Sequence, residues 1–194
     1  MPLDFFQRCC GPEYFTYKTF NDTKTGSHAN ISVDIIIETG ILSCLPEVEQ
    51  ELILNAIKYH NLYEIPHNDS PDVILHSKII RDADKLDGYY IETNENEERK
   101  YSLEKLDIES SYSHSLIADI INCKNIKFSN MKYENDRKLL MLSLVFDMNF
   151  PFSFLRVIRN GYIDKLVAKL PQNDEIANIH VHIKKYIEKR SAES

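Results

Sequence analysis

The sequence has little of what several classes of protein require. Glycine and proline are scarce, with 5 and 7 among 194 residues, and this scarcity favours long regular elements over a turn-rich all-β fold. No apolar run approaches the roughly 18 residues of a membrane-spanning helix. The N-terminus also lacks the basic and apolar regions of a signal peptide. We therefore expect a cytoplasmic protein with no membrane partner.

The four cysteines do not form a recognisable framework. None belongs to a Cys-x-x-Cys pair, and Cys9 is followed directly by Cys10, so reduced thiols are the simpler interpretation. The formal net charge of −7 argues against a surface that coats nucleic acid, because neutralising phosphates takes clustered Lys and Arg. A small anionic substrate needs only a local positive pocket, and the charge does not exclude it.

What is present indicates a helical domain. The sequence is 43% hydrophobic and 27% charged, which is typical of a globular protein, and its length fits one domain. Ser27 and Ser70 are expected to cap helices, and Gly40 is expected to end one. Helices are predicted at residues 28–39, 46–60, 71–90, 102–108, 113–123, 139–150, 152–170 and 174–189.

We predict one compact, multi-helix, all-α domain over residues 1–194. It consists of an irregular, aromatic-rich lead at 1–27, a group of site-bearing helices at 28–90 and a C-terminal helical part at 91–194.

Three of the predicted helices each place a metal-competent side chain among apolar positions. His60 follows Ile53 by seven residues, His28 begins a similar stripe, and Asp84 follows Ile80 by four, so each shares a helix face with apolar residues. Burying an unpaired carboxylate is expensive, so it is normally paired, metal-bound or neutralised. For each histidine alone a hydrogen-bonded core position is the usual alternative, and for the aspartate a buried salt bridge. Together they suggest a metal site.

This ligand set favours particular metals and substrates. Imidazole and carboxylate suit Mn, Fe, Co, Ni or Zn, with Mg as a further alternative, rather than an all-oxygen calcium site. An incompletely coordinated ion can generate hydroxide near neutral pH. Arg81 and Lys85 flank Asp84, and a cation beside a metal suits a phosphate. The alternative is that Arg81 and Lys85 lie on a solvent-exposed helix face and form ion pairs with Asp82, Asp84 or Asp87.

The order of these segments resembles the later part of an HD-domain metal-dependent phosphohydrolase. The resemblance is to a bacterial subfamily with Thr-Phe-x-Asp, Ser-x-x-His-Ala, Ala-Ile-x-x-His-Asn and Arg-Asp-Ala-Asp-Lys-Leu-Asp segments. The corresponding residues here are 19–22, 26–29, 56–61 and 81–87. The likeness covers about residues 15–90, and the last segment is the most specific. It implies an all-α hydrolase of phosphoester or phosphoanhydride bonds, often in nucleotides, with one or two metal ions.

The resemblance also implies which residues hold the metal. Asp84 corresponds to the closing metal ligand, and Asp82 is the second choice. His28 and His60 correspond to the extra histidines of members with a fuller site.

Three further residues are implied to act on the substrate. Arg81 and Lys85 would neutralise its phosphate, and Asn61 would hold a water or a substrate oxygen.

One departure from the family pattern concerns its first ligands. Members of the superfamily begin with a histidine and then a His-Asp pair, but residues 1–20 contain no histidine and a single aspartate, Asp4. We therefore expect a shortened HD-type domain. Two hypotheses follow: a phosphohydrolase with reduced activity, or a truncated or degenerate domain that binds a nucleotide or a partner helix without catalysis. An apolar face left uncovered would also favour a homo-oligomer.

Overall fold

The structure, a computed structural model, describes residues 27–94 and 111–193. Those residues form α-helices and two short 3₁₀-helices and contain no β-strand, which confirms the predicted all-α class. The helices are α1 His28–Thr39, α2 Glu47–Tyr59, α3 Pro71–Asn94, α4 His114–Ile121, α5 Glu134–Ser143, α6 Pro151–Asn160, α7 Tyr162–Val167 and α8 Asp174–Ser191, and the 3₁₀-helices are Phe128–Asn130 and Leu144–Asp147. No helix in these residues is long and apolar enough to cross a membrane.

Local signals account for most helix ends. The Ser70 hydroxyl accepts the N–H of Val73 at 3.2 Å, and the Asn173 side chain accepts that of Ile176 at 2.9 Å. Both are N-cap bonds that satisfy a donor left over at the start of a helix. Gly40 follows α1 with φ +61°, in the left-handed region that glycine enters without strain. The predicted ends of α1 and the predicted starts of α3 and α8 therefore match the structure.

Two predicted helices are divided differently. The one predicted at 139–150 begins earlier, at Glu134, and gives way at Leu144 to a 3₁₀-helix. Extended backbone then leads into Pro151, as expected because helical geometry is disfavoured just before a proline. The helix predicted at 152–170 is two helices, because Gly161 adopts φ +63° and ends α6. The predicted lead before residue 27 and the predicted helix at 102–108 lie outside the described residues.

Packing divides the chain into two compact units, and the boundary falls inside α3, between Arg81 and Asp82. In the first unit α1 packs against α2. Each of these helices has one fully buried alanine, Ala29 in α1 and Ala56 in α2. The prediction of one domain over residues 1–194 stays a prediction.

The second unit has a larger apolar core. A stripe of isoleucines on α8 recurs at intervals of three and four residues, the spacing of one helix face, and is buried against α4, α6 and α7. The stripe consists of Ile176, Ile179, Ile183 and Ile187. Tyr89 of α3 joins this core and stacks on Tyr162 at 5.5 Å between ring centroids.

Candidate metal centre

Two histidines and one aspartate come together. His28, His60 and Asp84 each offer one ligand atom, and these three atoms all lie within 4.8 Å of one another. His28 is the first residue of α1, and His60 is the C-cap of α2. Asp84 lies less than one turn beyond Arg81 on the continuous helix α3, so its position follows from the helix that carries Arg81.

The imidazole rings of His28 and His60 approach each other through their Nε2 atoms. His28 Nε2 lies 3.1 Å from His60 Nε2, and the rings are edge to face. Two imidazole nitrogens that share an ion at about 2.0–2.1 Å are roughly 3.0–3.4 Å apart. The observed separation of the two histidine nitrogens falls within this range.

The contact made by Nδ1 of His60 leaves its Nε2 available as a metal ligand. Nδ1 of His60 contacts the carbonyl oxygen of Ile57, and because a carbonyl only accepts, Nδ1 must carry the proton. In the neutral ring Nε2 then has a lone pair, which can bind a metal ion. A backbone carbonyl on the second ring nitrogen is the usual way in which proteins orient a ligating histidine.

The group is buried on one side and open on the other. His60 is 8% exposed, whereas His28 and Asp84 are exposed. Catalytic metal sites with three protein ligands keep a position open for water or substrate. The exposed side of this group provides such an opening.

Asp82 and Asp84 are only two residues apart but have different surroundings. Asp82 is 2% exposed, and its carboxylate accepts the backbone N–H groups of Asn149 and Phe150 and the Asn149 amide at 2.9–3.1 Å. It is therefore engaged at the start of α6 and does not belong to the ligand group. The apolar pattern predicted a buried Asp84, and this is wrong, because Asp84 is exposed where it joins the histidines and Asp82 is the buried carboxylate.

Arg81 donates to the protein backbone, and the phosphate contact that the resemblance implies for it stays a prediction. Its side chain is 6% exposed and reaches the carbonyl oxygens of His60, Leu62 and Tyr63. These groups lie at and just after the end of α2, where carbonyls have no partner within the helix. The guanidinium thus secures the backbone of a candidate ligand.

Lys85 and Asn61 also have protein partners. The buried ammonium of Lys85 lies 2.8 Å from a carboxylate oxygen of Asp147. The Asn61 side chain donates to the Ser27 hydroxyl at 3.1 Å, which joins the residue after His60 to the residue before His28. Phosphate and substrate contacts for these two residues stay predictions.

Comparison of the chain with protein-family models, curated proteins and solved structures finds no match. The case for a function therefore depends on the side chains and on the motif order.

Two partners of the site were missed by the sequence reasoning. Ser27 was assigned only to a helix cap, but its hydroxyl accepts from Asn61 and makes no side-chain cap bond. Asp147, the partner of Lys85, lies 62 residues along the chain. Ser27 carries a weak signal because it adjoins His28, whereas the pairing of Asp147 depends on tertiary packing alone.

Proposed function

We propose that this protein binds a divalent transition-metal ion through His28, His60 and Asp84 and hydrolyses a phosphoester, with nucleotides as the substrate class. The convergence of three metal-competent atoms within 4.8 Å carries the proposal. The motif order that resembles HD-domain phosphohydrolases favours phosphate over other substrates. When bound, the ion draws charge from a phosphoryl oxygen and makes water a stronger acid.

The chain's own residues have separate tasks in this proposal. His60 supplies a nitrogen held in the ligating tautomer by the Ile57 carbonyl. Asp84 supplies the negative charge that favours a cation, and the exposed side of His28 and Asp84 admits the substrate. Arg81 and Lys85 contribute positive charge near the group while their donors bond to protein oxygens.

The metal centre is tested by binding and metal analysis. Protein purified without added metal is analysed for Mn, Fe, Co, Ni and Zn, and the affinity for Mn²⁺ and Zn²⁺ is measured by calorimetry. We expect one ion per chain and a loss of at least about 100-fold in affinity for Asp84→Asn and His28→Gln, because a lost ligand weakens a site more than a lost supporting contact does.

Matched variants control for general effects of substitution. Asp87 is an exposed carboxylate on the same helix as Asp84, and His67 is an exposed histidine outside the group, so Asp87→Asn and His67→Gln should keep the wild-type affinity. Hydrolysis of nucleoside monophosphates and of a chromogenic phosphodiester is assayed with each protein. A wild-type chain that binds no ion, or an Asp84→Asn variant that binds as well as wild type, would overturn the metal centre.

We infer a second candidate function, a binding module without catalysis. The bonds of Arg81 and Lys85 to protein oxygens favour it, since these cations are already engaged. Nucleotide binding with no turnover, unchanged by added Mn²⁺, would support this alternative and exclude the hydrolase.

We also propose a cytoplasmic location. Cys44 and Cys123 are free and exposed, and exposed thiols persist in reducing compartments. Localisation of a tagged chain, together with thiol titration of protein from cell extract, tests this proposal.

A further inference from the structure

We infer that Ser27, Asn61 and Arg81, here called the ligand clamp, position the two histidines and thereby set the metal affinity of the site. This inference rests on the proposed metal centre. It assigns to Arg81 and Asn61 a task other than contact with substrate.

The Arg81 part of the clamp acts on the backbone of His60. One guanidinium nitrogen donates to the His60 carbonyl at 3.0 Å and also to that of Leu62, and the other donates to Tyr63 at 3.1 Å. These three hydrogen bonds fix the backbone that follows α2. Because the His60 ring extends from the same residue, its direction depends on this backbone.

The second part of the clamp joins the neighbours of both ligands. The Asn61 amide donates to the Ser27 hydroxyl at 3.1 Å, so the residue after His60 bonds to the residue before His28. The bond spans 34 residues of sequence and lies beside the 3.1 Å contact between the two Nε2 atoms. It fixes the end of α2 against the start of α1 at the position where the ligands meet.

The chemistry of the clamp distinguishes arginine from lysine. A guanidinium presents donors in a planar fork, whereas an ammonium is a point charge on a flexible stem. Lysine at position 81 keeps the charge but cannot reach three carbonyls in the same geometry. A purely electrostatic role would therefore survive Arg81→Lys, and a positioning role would not.

The test uses Co²⁺, whose visible absorption reports ligand geometry directly. Co²⁺ affinity and spectrum are measured for wild type, Arg81→Lys, Arg81→Met and Asn61→Ala, with helicity followed by circular dichroism. Lys78→Met is the matched control, since Lys78 is a cation one turn earlier on α3. We expect a roughly 10–100-fold loss of affinity in the three clamp variants, the range typical of supporting contacts, with altered absorption bands at saturating Co²⁺. Lys78→Met should keep the wild-type values.

The outcomes separate this inference from the proposed function. Wild-type affinity and an unchanged spectrum in Arg81→Lys overturn the clamp and leave the metal centre standing. A wild-type chain that binds no Co²⁺, Mn²⁺ or Zn²⁺ overturns the metal centre itself. If the Arg81 variants lose their helicity, Asn61→Ala decides: unchanged binding overturns the clamp, and weakened binding with an altered spectrum supports it.

Discussion

At the scale of single residues, two stacked tyrosines have hydroxyls in different surroundings. The Tyr89 hydroxyl is fully buried and makes no well-formed hydrogen bond within the residues that the structure describes. The nearby backbone of Val145 lowers the pKa of this phenol, but burial has the larger effect and raises the pKa above its ordinary value. The Tyr162 hydroxyl accepts the side-chain amide of Asn160 at 2.9 Å. The two rings lie 5.5 Å apart and nearly parallel, so each serves as a control for the other.

We predict opposite effects when each tyrosine loses its hydroxyl. Tyr89→Phe should leave the free energy of unfolding unchanged or raise it by up to about 1 kcal/mol, because it removes a buried polar group that makes no well-formed hydrogen bond and has only the Val145 backbone nearby. Tyr162→Phe should lower the free energy of unfolding by about 0.5–1.5 kcal/mol, because it removes the acceptor of the hydrogen bond from Asn160. Urea unfolding measures both. A larger loss for Tyr89→Phe than for Tyr162→Phe would contradict the assignment.

Residue types alone could not assign partners near the candidate site. The sequence contains Asp82 and Asp84 in nearly equivalent motif positions, and only packing shows which one meets the α6 backbone and which one meets the histidines. Likewise the sequence shows that Arg81 and Lys85 are positively charged. The groups that their side chains contact are carbonyls and a carboxylate from other segments. Helical periodicity predicts which face of a helix a side chain lies on, but it does not predict which atom of another segment that side chain contacts.

At the scale of elements, Asp82 ties α3 to the start of α6. Its carboxylate accepts two backbone N–H groups and one amide from the segment that leads into Pro151. The N–H groups at the start of a helix lack partners and favour negative charge. The buried Asp82 carboxylate supplies both the hydrogen-bond acceptors and the negative charge that these N–H groups favour.

We predict that Asp82→Ala lowers the free energy of unfolding by about 2–4 kcal/mol, because it leaves several buried donors without an acceptor. Urea unfolding measures the loss. Asp87→Ala, on an exposed position of the same helix, should change it by less than about 0.5 kcal/mol. Equal stability of the two variants would show that the α6 segment is not held by Asp82.

At the scale of the whole molecule, pH acts through carboxylates that join helices. Burial by itself raises the pKa of Asp164, but hydrogen bonds and charge from His180 and Lys184 outweigh it and hold the pKa below its ordinary value of 3.8. The hydrogen bond from Tyr112 lowers the pKa of Glu175 below 4.5. A depressed pKa in the folded state contributes stability that is present above the unfolded value and is lost as the pH falls through the folded one.

We predict that acid destabilises wild type more than a variant without these two carboxylates. Between pH 6 and pH 3 the free energy of unfolding should fall more steeply in wild type than in Asp164→Asn/Glu175→Gln, since the variant has no such protonation to undergo. Both groups are largely exposed, so the difference should be small. Urea unfolding at each pH measures it, and parallel slopes would contradict the linkage.

The helical class, most of the helix ends and the three residues of the candidate metal group could be predicted from the sequence. Those features depend on local chemistry: helix periodicity, capping residues such as Ser70 and Gly40, and ligand-type side chains at helical spacing. The helix predicted at 139–150 differs at both ends, since it begins at Glu134 and gives way to a 3₁₀-helix at Leu144. The helix predicted at 152–170 is divided at Gly161.

The contacts of those side chains depend on tertiary packing and could not be predicted from the sequence. The pairing of His28 with His60, the bonds of Arg81 to three carbonyls and the link between Lys85 and Asp147 join residues from 18 to 62 positions apart. Such contacts depend on how closely helices approach, which is set by packed side chains from several segments at once. Local periodicity therefore predicts the candidate ligands, and packing decides which groups surround them.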